Sequence, residues 1–350
     1  MKNEYARRAL EWTGDTLLRQ MGLLRVFRSV DTREAQVIRI LAYHRVHDCR
    51  QDRTEANPDI MIDPGLFAEQ IKLLARHYDP VGVDDLRASL DGTKPLPRRA
   101  VLVTVDDGYR DFLTQAWPVL KRYSVPVVLF VPSGYPDRPR PFVWDELWWM
   151  AVRSMLPSVS IPWIGTLDLR TPRAREAAAR RLRRVILPLH PSLGAERMAE
   201  LRDIFRVSPR STSLVLGWHD LRTLANEGVA IAPHTRSHAS MPSLTDDELE
   251  DEIMGSVRDL ERELPRISRI FAFPYGHVDM RGTEILSEHG FVAGFSASPG
   301  RNTLPPADRY RMFRQCVGPG HSVSRMQLGL SGFYPFGLAR ARAMAWLPWR

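Results

Sequence analysis

Two adjacent carboxylates end an apolar run in "VLVTVDDGYRDF", which extends from Val101 to Phe112. Asp106 and Asp107 follow what reads as a buried strand, where two like charges raise each other's proton affinity. A bound cation would offset that cost. We expect Asp107 to hold the cation, while Asp106 stays ionised and accepts a proton from a water that attacks a carbonyl carbon. The structural alternative is a pair that caps a helix and faces solvent.

Two histidines, His234 and His238, lie four residues apart in "APHTRSHASM". Imidazole is a common ligand of zinc and similar divalent metals. This spacing alone is weak support, because helix surfaces produce it by chance. Two histidines and one carboxylate together form a site with open coordination positions, which is typical of catalytic metals. The sequence therefore predicts a divalent metal cofactor, with zinc favoured and cobalt or nickel as alternatives.

Short apolar strands alternate with helices along most of the chain, which indicates parallel βαβ units and favours an α/β barrel. In such a barrel, reactive residues lie at the carboxyl ends of strands. Those ends carry His44, the Asp106–Asp107 pair, His234 and the segment 274–276. We expect these four strand ends to converge on one rim.

The predicted organisation has three parts: an N-terminal amphipathic helix within 1–35, a barrel over 36–320, and a basic aromatic tail over 321–350. A mostly helical insertion at about 135–216 interrupts the barrel. It contains three tryptophans that we interpret as core residues, although one near a barrel mouth could stack on a sugar: Trp144, Trp148 and Trp149.

The 350-residue chain has a net charge of +8 and two cysteines, so a disulfide framework is not expected. No apolar run is long enough for a membrane span, and no secretory signal is recognisable, which favours the cytoplasm. No nucleic-acid motif accompanies the basic charge. After Asp308 the chain has no acidic residue, and its last arginines accompany Trp346 and Trp349. The termini therefore either pack on the domain or contact the inner face of a membrane peripherally.

Three segments resemble the motifs of the polysaccharide deacetylase family, also called the NodB-homology domain or carbohydrate esterase family four. "TVDDG" (Thr104 to Gly108) is similar to its first motif, TFDDG. "HTRSH" (His234 to His238) matches its second, and "FPYG" (Phe273 to Gly276) resembles the end of its third. The resemblance extends over roughly 36–317 with the insertion set aside.

The resemblance implies a distorted (β/α) barrel and metal-dependent removal of an N- or O-acetyl group from a sugar. Carried over by position, Asp106 is the base, and the metal ligands are Asp107, His234 and His238. Tyr275 would contribute its backbone N–H to the oxyanion hole. The expected partner is an acetylated glycan or a lipid-linked sugar.

Three departures from the family pattern stand out. The arginine of the third motif falls at Ala272, so its task is absent or met elsewhere. The fourth motif's tryptophan is missing from "GFVAGFSAS", and the fifth motif's histidine is not recognisable, since His321 lies in a poorly matching context. "YHRV" at His44 and "DRYRMFRQCV" near Arg314 resemble a branch with an early Tyr-His strand. His44 is therefore a candidate acid or site-shaping residue, with a buried structural histidine as the alternative.

Two other functions stay open. One is a metal-dependent amidohydrolase that acts on a non-sugar amide, which the altered third to fifth motifs allow. The other is a catalytically weak domain that binds glycan or lipid-linked sugar.

Overall fold

The computed structural model describes residues 36–48, 57–139, 141–208 and 213–331. The predicted N-terminal helix and residues 332–350 of the predicted tail lie outside this part of the chain. Within it, no helix has both the length and the apolar character needed to cross a membrane.

Seven strands of the described residues form the central sheet: β1 Val37–Tyr43, β4 Asp79–Pro80, β5 Ala100–Val105, β6 Val127–Val131, β9 Ala230–Pro233, β12 Asn302–Thr303 and β13 Gln315–Cys316. In this sheet β12, β1, β5, β6 and β9 are successive neighbours, β13 pairs with β1, and β4 pairs with β5. All these pairings are parallel except the antiparallel β1–β12 pair.

Three two-stranded sheets contain the other strands of the described residues: β2 Arg45–Val46 with β3 Met61–Ile62, β7 Ser158–Ile161 with β8 Gly165–Asp168, and β10 Ile270–Ala272 with β11 Ala293–Phe295. The β10–β11 pair is parallel. The segment just before β10 is joined to β9 by the hydrogen bond from Ser268 N to Ile231 O at 2.8 Å.

Ten α-helices lie around the strands in the part of the chain that the structure describes. They are α1 Pro64–His77, α2 Val83–Leu90, α3 Trp117–Arg122, α4 Val143–Arg153, α5 Pro172–Ile186, α6 Pro191–Phe205, α7 Trp218–Asn226, α8 Asp246–Glu263, α9 Met280–Glu288 and α10 Val323–Leu330. The predicted Thr245–Glu248 capping box begins α8, where Thr245 N donates to Glu248 Oε2 at 2.9 Å. The predicted strand from Val37 to Val46 is interrupted at His44.

Alternate residues of the central strands enter two different apolar clusters. In β5, Val101, Val103 and Val105 pack with the surrounding helices, whereas Ala100 and Leu102 pack with side chains of β1, β6, β10 and β11. Both faces of the strand are therefore buried, which explains why it reads as a continuous apolar run. The predicted distorted (β/α) barrel is confirmed.

The insertion has its own apolar core. Helices α4, α5 and α6 pack with the antiparallel β7–β8 hairpin around Trp148, Leu182 and Phe205. The insertion is mostly helical, as predicted, and the hairpin is an addition. It is joined to the barrel by Asp59, which accepts hydrogen bonds from Arg180 and Arg183 of α5 at 2.9–3.1 Å.

Candidate metal centre and active site

The carboxyl ends of neighbouring strands bring the predicted site residues together. Asp106 and Asp107 follow β5, and the backbone N–H of Asp106 donates to Tyr43 O of β1 at 2.9 Å. His234 follows β9, and its N–H donates to Val131 O of β6 at 3.2 Å. Backbone pairing therefore continues one residue beyond each strand and fixes where these side chains leave the sheet.

Asp107, His234 and His238 form a compact buried triad in which one ligand atom from each lies within 4.8 Å of the others. Asp107 Oδ1 is 3.3 Å from His238 Nε2 and 3.6 Å from His234 Nε2. Burial would raise the pKa of the Asp107 carboxyl, but the neighbouring His238 lowers it below its usual value. This triad has the donor atoms of a two-histidine, one-carboxylate metal site.

The tautomer of His234 provides a test of whether the triad fits a cation. His234 Nδ1 is 2.6 Å from Ala272 O, and a carbonyl can only accept, so Nδ1 carries the proton. Burial, followed by His238, lowers the pKa of His234 to about 4, which leaves the ring neutral at physiological pH. The lone pair of Nε2 then faces Asp107 Oδ1, which has no hydrogen-bond partner among the described residues. Two acceptors facing each other fit a bound cation between them.

Asp106 is held by Arg314, which comes from the segment just before β13. Arg314 Nη1 donates to Asp106 Oδ1 and Nη2 to Oδ2, each at 2.7 Å, and Nη1 also donates to Thr104 Oγ1 at 3.1 Å. Burial alone would raise the pKa of Asp106, but Arg314, His234 and His44 outweigh it and bring the pKa to about 2. The carboxylate next to the triad is therefore ionised and fixed in direction.

His44 also lies next to Asp106. Its Nε2 is 3.9 Å from Asp106 Oδ2, and its side chain is 15% exposed, against 4% for Asp106 and 2% for His234. Of these three side chains, His44 is therefore the one most accessible to a molecule that approaches from solvent.

An aromatic wall covers His238. The ring of Tyr275 lies edge-on to the His238 ring with centroids 4.6 Å apart, and Trp144 approaches it at the same distance. Phe142 stacks on Trp144 at 4.4 Å. Trp144 and Phe142 come from the insertion, so the interpretation of Trp144 as core alone is incomplete. It is buried, and it also packs on a predicted metal ligand.

A buried hydrogen-bond chain supports this wall. The Tyr109 hydroxyl donates to Asp145 Oδ2 at 2.7 Å and accepts from Trp144 Nε1 at 2.7 Å. The Arg45 guanidinium lies over the Tyr109 ring, 4.5 Å from its centroid, and Arg45 Nε donates to Asp111 Oδ2 at 2.7 Å. Tyr109 follows Gly108 directly, so the segment that carries the two aspartates also anchors the insertion.

Backbone strain is concentrated at the site. Four of its residues have left-handed φ values: Asp107 at 75°, Thr235 at 63°, His238 at 58° and Tyr275 at 57°. Residues other than glycine rarely adopt this conformation, least of all β-branched ones such as threonine. Such strain persists only where the surrounding contacts enforce it, which is typical of a preorganised site.

The sequence predicts the three residues of the triad and also Asp106, but it does not show what binds Asp106 or that aromatic residues cover His238. Arg314 lies in a segment that resembles the family, without an assigned role. The hydrogen bond from Tyr109 to Asp145 has no sequence signature. His321 Nδ1 accepts a hydrogen bond from Gly318 N at 3.2 Å in a local turn.

Comparison with known protein families gives one match that covers the site. The sequence model of the polysaccharide deacetylase family matches residues 93–294, which include the first two motifs, the insertion and Tyr275. The chain belongs to the polysaccharide deacetylase family. A stretch of 100 residues is 31% identical to the poly-β-1,6-N-acetyl-D-glucosamine N-deacetylase of Escherichia coli. That stretch is 28% of this chain but only 14% of the length of the Escherichia coli protein.

Solved structures share the fold at low sequence identity. A Streptococcus pyogenes deacetylase, PplD, superposes with a TM-score of 0.57 at 16% identity, over 86% of this chain and 100% of that one. A de-N-acetylase from Aggregatibacter actinomycetemcomitans gives 0.55 at 18% identity, over 84% and 99% of the two chains. IcaB from Ammonifex degensii gives 0.55 at 19%, over 85% and 98%.

Proposed function

We propose that this protein is a metal-dependent deacetylase that hydrolyses the acetyl group of an acetylated sugar in a glycan. The observation that carries the proposal is the Asp107–His234–His238 triad beside an ionised Asp106 that Arg314 holds at 2.7 Å. Family membership supports the substrate class. The named activity of the Escherichia coli relative points to N-acetylglucosamine in a β-1,6-linked polymer as the first substrate to test.

Asp107, His234 and His238 would hold a divalent cation, with zinc as the favoured metal and cobalt or nickel as alternatives. Such a cation polarises a carbonyl oxygen and lowers the pKa of a water that it binds. The Nδ1–H bond to Ala272 O keeps the Nε2 of His234 free of a proton and ready to coordinate.

The remaining groups move protons and exclude water. Asp106 accepts the proton of the attacking water, and Arg314 keeps that carboxylate ionised and oriented. As the C–N bond of the acetamide breaks, His44 gives a proton to the leaving nitrogen, so acetate and a free amine result. The Tyr275 backbone N–H stabilises the developing oxyanion. Trp144 and the Tyr275 ring close one side of the site.

Peripheral contact with an anionic membrane is a separate proposal from the sequence. Residues 332–350 contain Arg340, Arg342 and Arg350 with Trp346 and Trp349, and no acidic residue. Arginine and tryptophan together favour an anionic interface. Sedimentation with anionic vesicles should capture the full chain more strongly than a chain that ends at residue 331, and equal capture would refute the proposal.

Acetate release tests the catalytic proposal. The metal-loaded protein is incubated with β-1,6-linked N-acetylglucosamine oligomers, with an O-acetylated polysaccharide and with an acetylated non-sugar amine. We expect acetate from the sugar substrates, loss of release after chelation, and recovery with zinc or cobalt. Acetate release only from the non-sugar amine would refute the proposal and indicate an amidohydrolase. Binding of the oligomers without any acetate release would indicate a glycan-binding domain.

A further inference from the structure

The loop that carries His234 and His238 rests on one face of α8. Glu252, Gly255 and Asp259 lie at positions i, i+3 and i+7 of that helix, so they share a face. We call these three residues the α8 dock. The dock contacts the loop through Arg236 and Ser237, which lie between the two histidines.

Glu252 binds the loop backbone directly. Its Oε2 accepts from Arg236 N at 2.9 Å and from Ser237 N at 2.8 Å, while its Oε1 accepts from Ser237 Oγ at 2.6 Å. One carboxylate thus satisfies two consecutive N–H groups immediately before His238. Hydrogen bonds to an ionised acceptor are stronger than neutral ones, so this contact fixes the path of the chain.

Asp259 and Gly255 hold the Arg236 side chain. Asp259 Oδ2 accepts from Arg236 Nε at 2.9 Å, and Oδ1 accepts from Nη2 at 3.2 Å. A Cβ on Gly255 would lie 2.8 Å from Arg236 Cδ and Nε. Glycine weakens a helix interior, and here its absent side chain lets the arginine lie across the helix. The backbone of Arg236 is also held by the loop that follows β6, where Gly134 N donates to Arg236 O at 2.8 Å.

This attachment bears on His238 because the loop backbone is strained. Thr235 and His238 both have left-handed φ values, at 63° and 58°. In the described part of the chain, one hydrogen bond inside the loop fixes that turn locally, from His238 N to Thr235 Oγ1 at 3.0 Å. External contacts must therefore supply much of what keeps His238 Nε2 at 3.3 Å from Asp107 Oδ1.

We propose that the α8 dock is a positioning device that sets the metal affinity of the triad through His238, with Glu252 as its principal residue. The inference rests on the metal site of the proposed function. Among the described residues, no hydrogen bond or ion pair joins Glu252 to the triad or to Asp106, and Glu252 acts by holding the backbone from which His238 projects. Contacts that orient metal ligands typically change metal affinity by about 10- to 100-fold when they are removed.

Cobalt titration of the full-length protein, followed by visible absorption, tests the inference. Glu252→Ala should bind Co²⁺ about tenfold more weakly than wild type and with an altered spectrum. Glu252→Gln should largely restore both, because its amide oxygen accepts the two N–H groups and its NH₂ donates to Ser237 Oγ. Glu250→Ala removes an exposed glutamate of the same helix as a matched control, and should bind like wild type.

Gly255→Ala is a second variant in case Glu252→Ala does not fold. Alanine favours the helix, while its Cβ displaces Arg236, so weaker cobalt binding in a folded protein would support the dock. If wild type binds cobalt, and both Glu252→Ala and Gly255→Ala match it in affinity and spectrum, the dock is refuted and the metal site stands. Absence of cobalt binding by wild type would overturn both proposals.

Discussion

The guanidinium of Arg314 lies against both carboxylate oxygens of Asp106, with two hydrogen bonds of 2.7 Å between residues 208 positions apart in the chain. The family's third-motif arginine falls here at Ala272, whose carbonyl instead accepts from His234 Nδ1. A buried carboxylate needs a partner of opposite charge. Arg314, which lies near the C-terminal end of the barrel segment in the sequence, therefore supplies the positive charge that position 272 does not.

Replacing Arg314 by methionine should change the pH dependence of activity as well as its size. Burial raises the pKa of Asp106, and the arginine is the largest influence that lowers it. Without the arginine, Asp106 becomes protonated at a higher pH, so the acid limb of kcat should move upward, with a loss of about 100-fold at neutral pH. Arg311→Met, an exposed neighbour, is the control. An acid limb that stays in place would argue against Asp106 as the base.

Tyr109→Phe tests the attachment of the insertion to the site. The substitution removes the hydroxyl that joins Asp145 Oδ2 to Trp144 Nε1 and leaves both buried groups without that partner. We expect a loss of about 1–3 kcal/mol in the free energy of unfolding, measured by urea denaturation. Tyr123→Phe, at the C-cap of α3, should change it by less than about 0.5 kcal/mol. A Tyr109 variant as stable as wild type would show that the hydrogen bonds of Tyr109 with Asp145 and Trp144 do not hold the aromatic wall in place.

The buried carboxyl group of Asp145 should make the free energy of unfolding depend on pH. Burial, with a smaller contribution from Asp107, raises its pKa from 3.8 to about 6, although Arg45 and Tyr109 oppose the shift. A raised folded-state pKa gives stability that is present below the unfolded pKa and is lost as pH rises through about 6. Asp145→Asn has no such loss, so its unfolding free energy relative to wild type should rise by roughly 2–3 kcal/mol between about pH 4 and pH 7.

Denaturant titrations across that pH range measure the Asp145 effect. Asp247→Asn, at an exposed position of α8, controls for the removal of one negative charge. A difference between Asp145→Asn and wild type that is constant with pH would mean that Asp145 does not titrate in this range.

The barrel and the triad could be predicted because their signals are local. Apolar strands alternate with helices, and the strand-end rule brings Asp107 and His234 to one rim. Arg314 could not be placed in this way, because it precedes a strand of two residues with no periodicity and meets Asp106 only through the tertiary fold. Trp144 lies in an amphipathic helix, where an aromatic residue normally indicates core, and no local pattern shows that this helix packs on His238.

The most direct measurement for the whole account is acetate release by Asp106→Asn, compared with wild type after both are loaded with cobalt. Asp106 and Asp107 are adjacent, but only Asp107 lies in the triad, so the variant should bind one equivalent of metal. It should release acetate at least about 100-fold more slowly, because the amide cannot accept the proton. Acetate release at the wild-type rate by the metal-loaded variant would contradict the account.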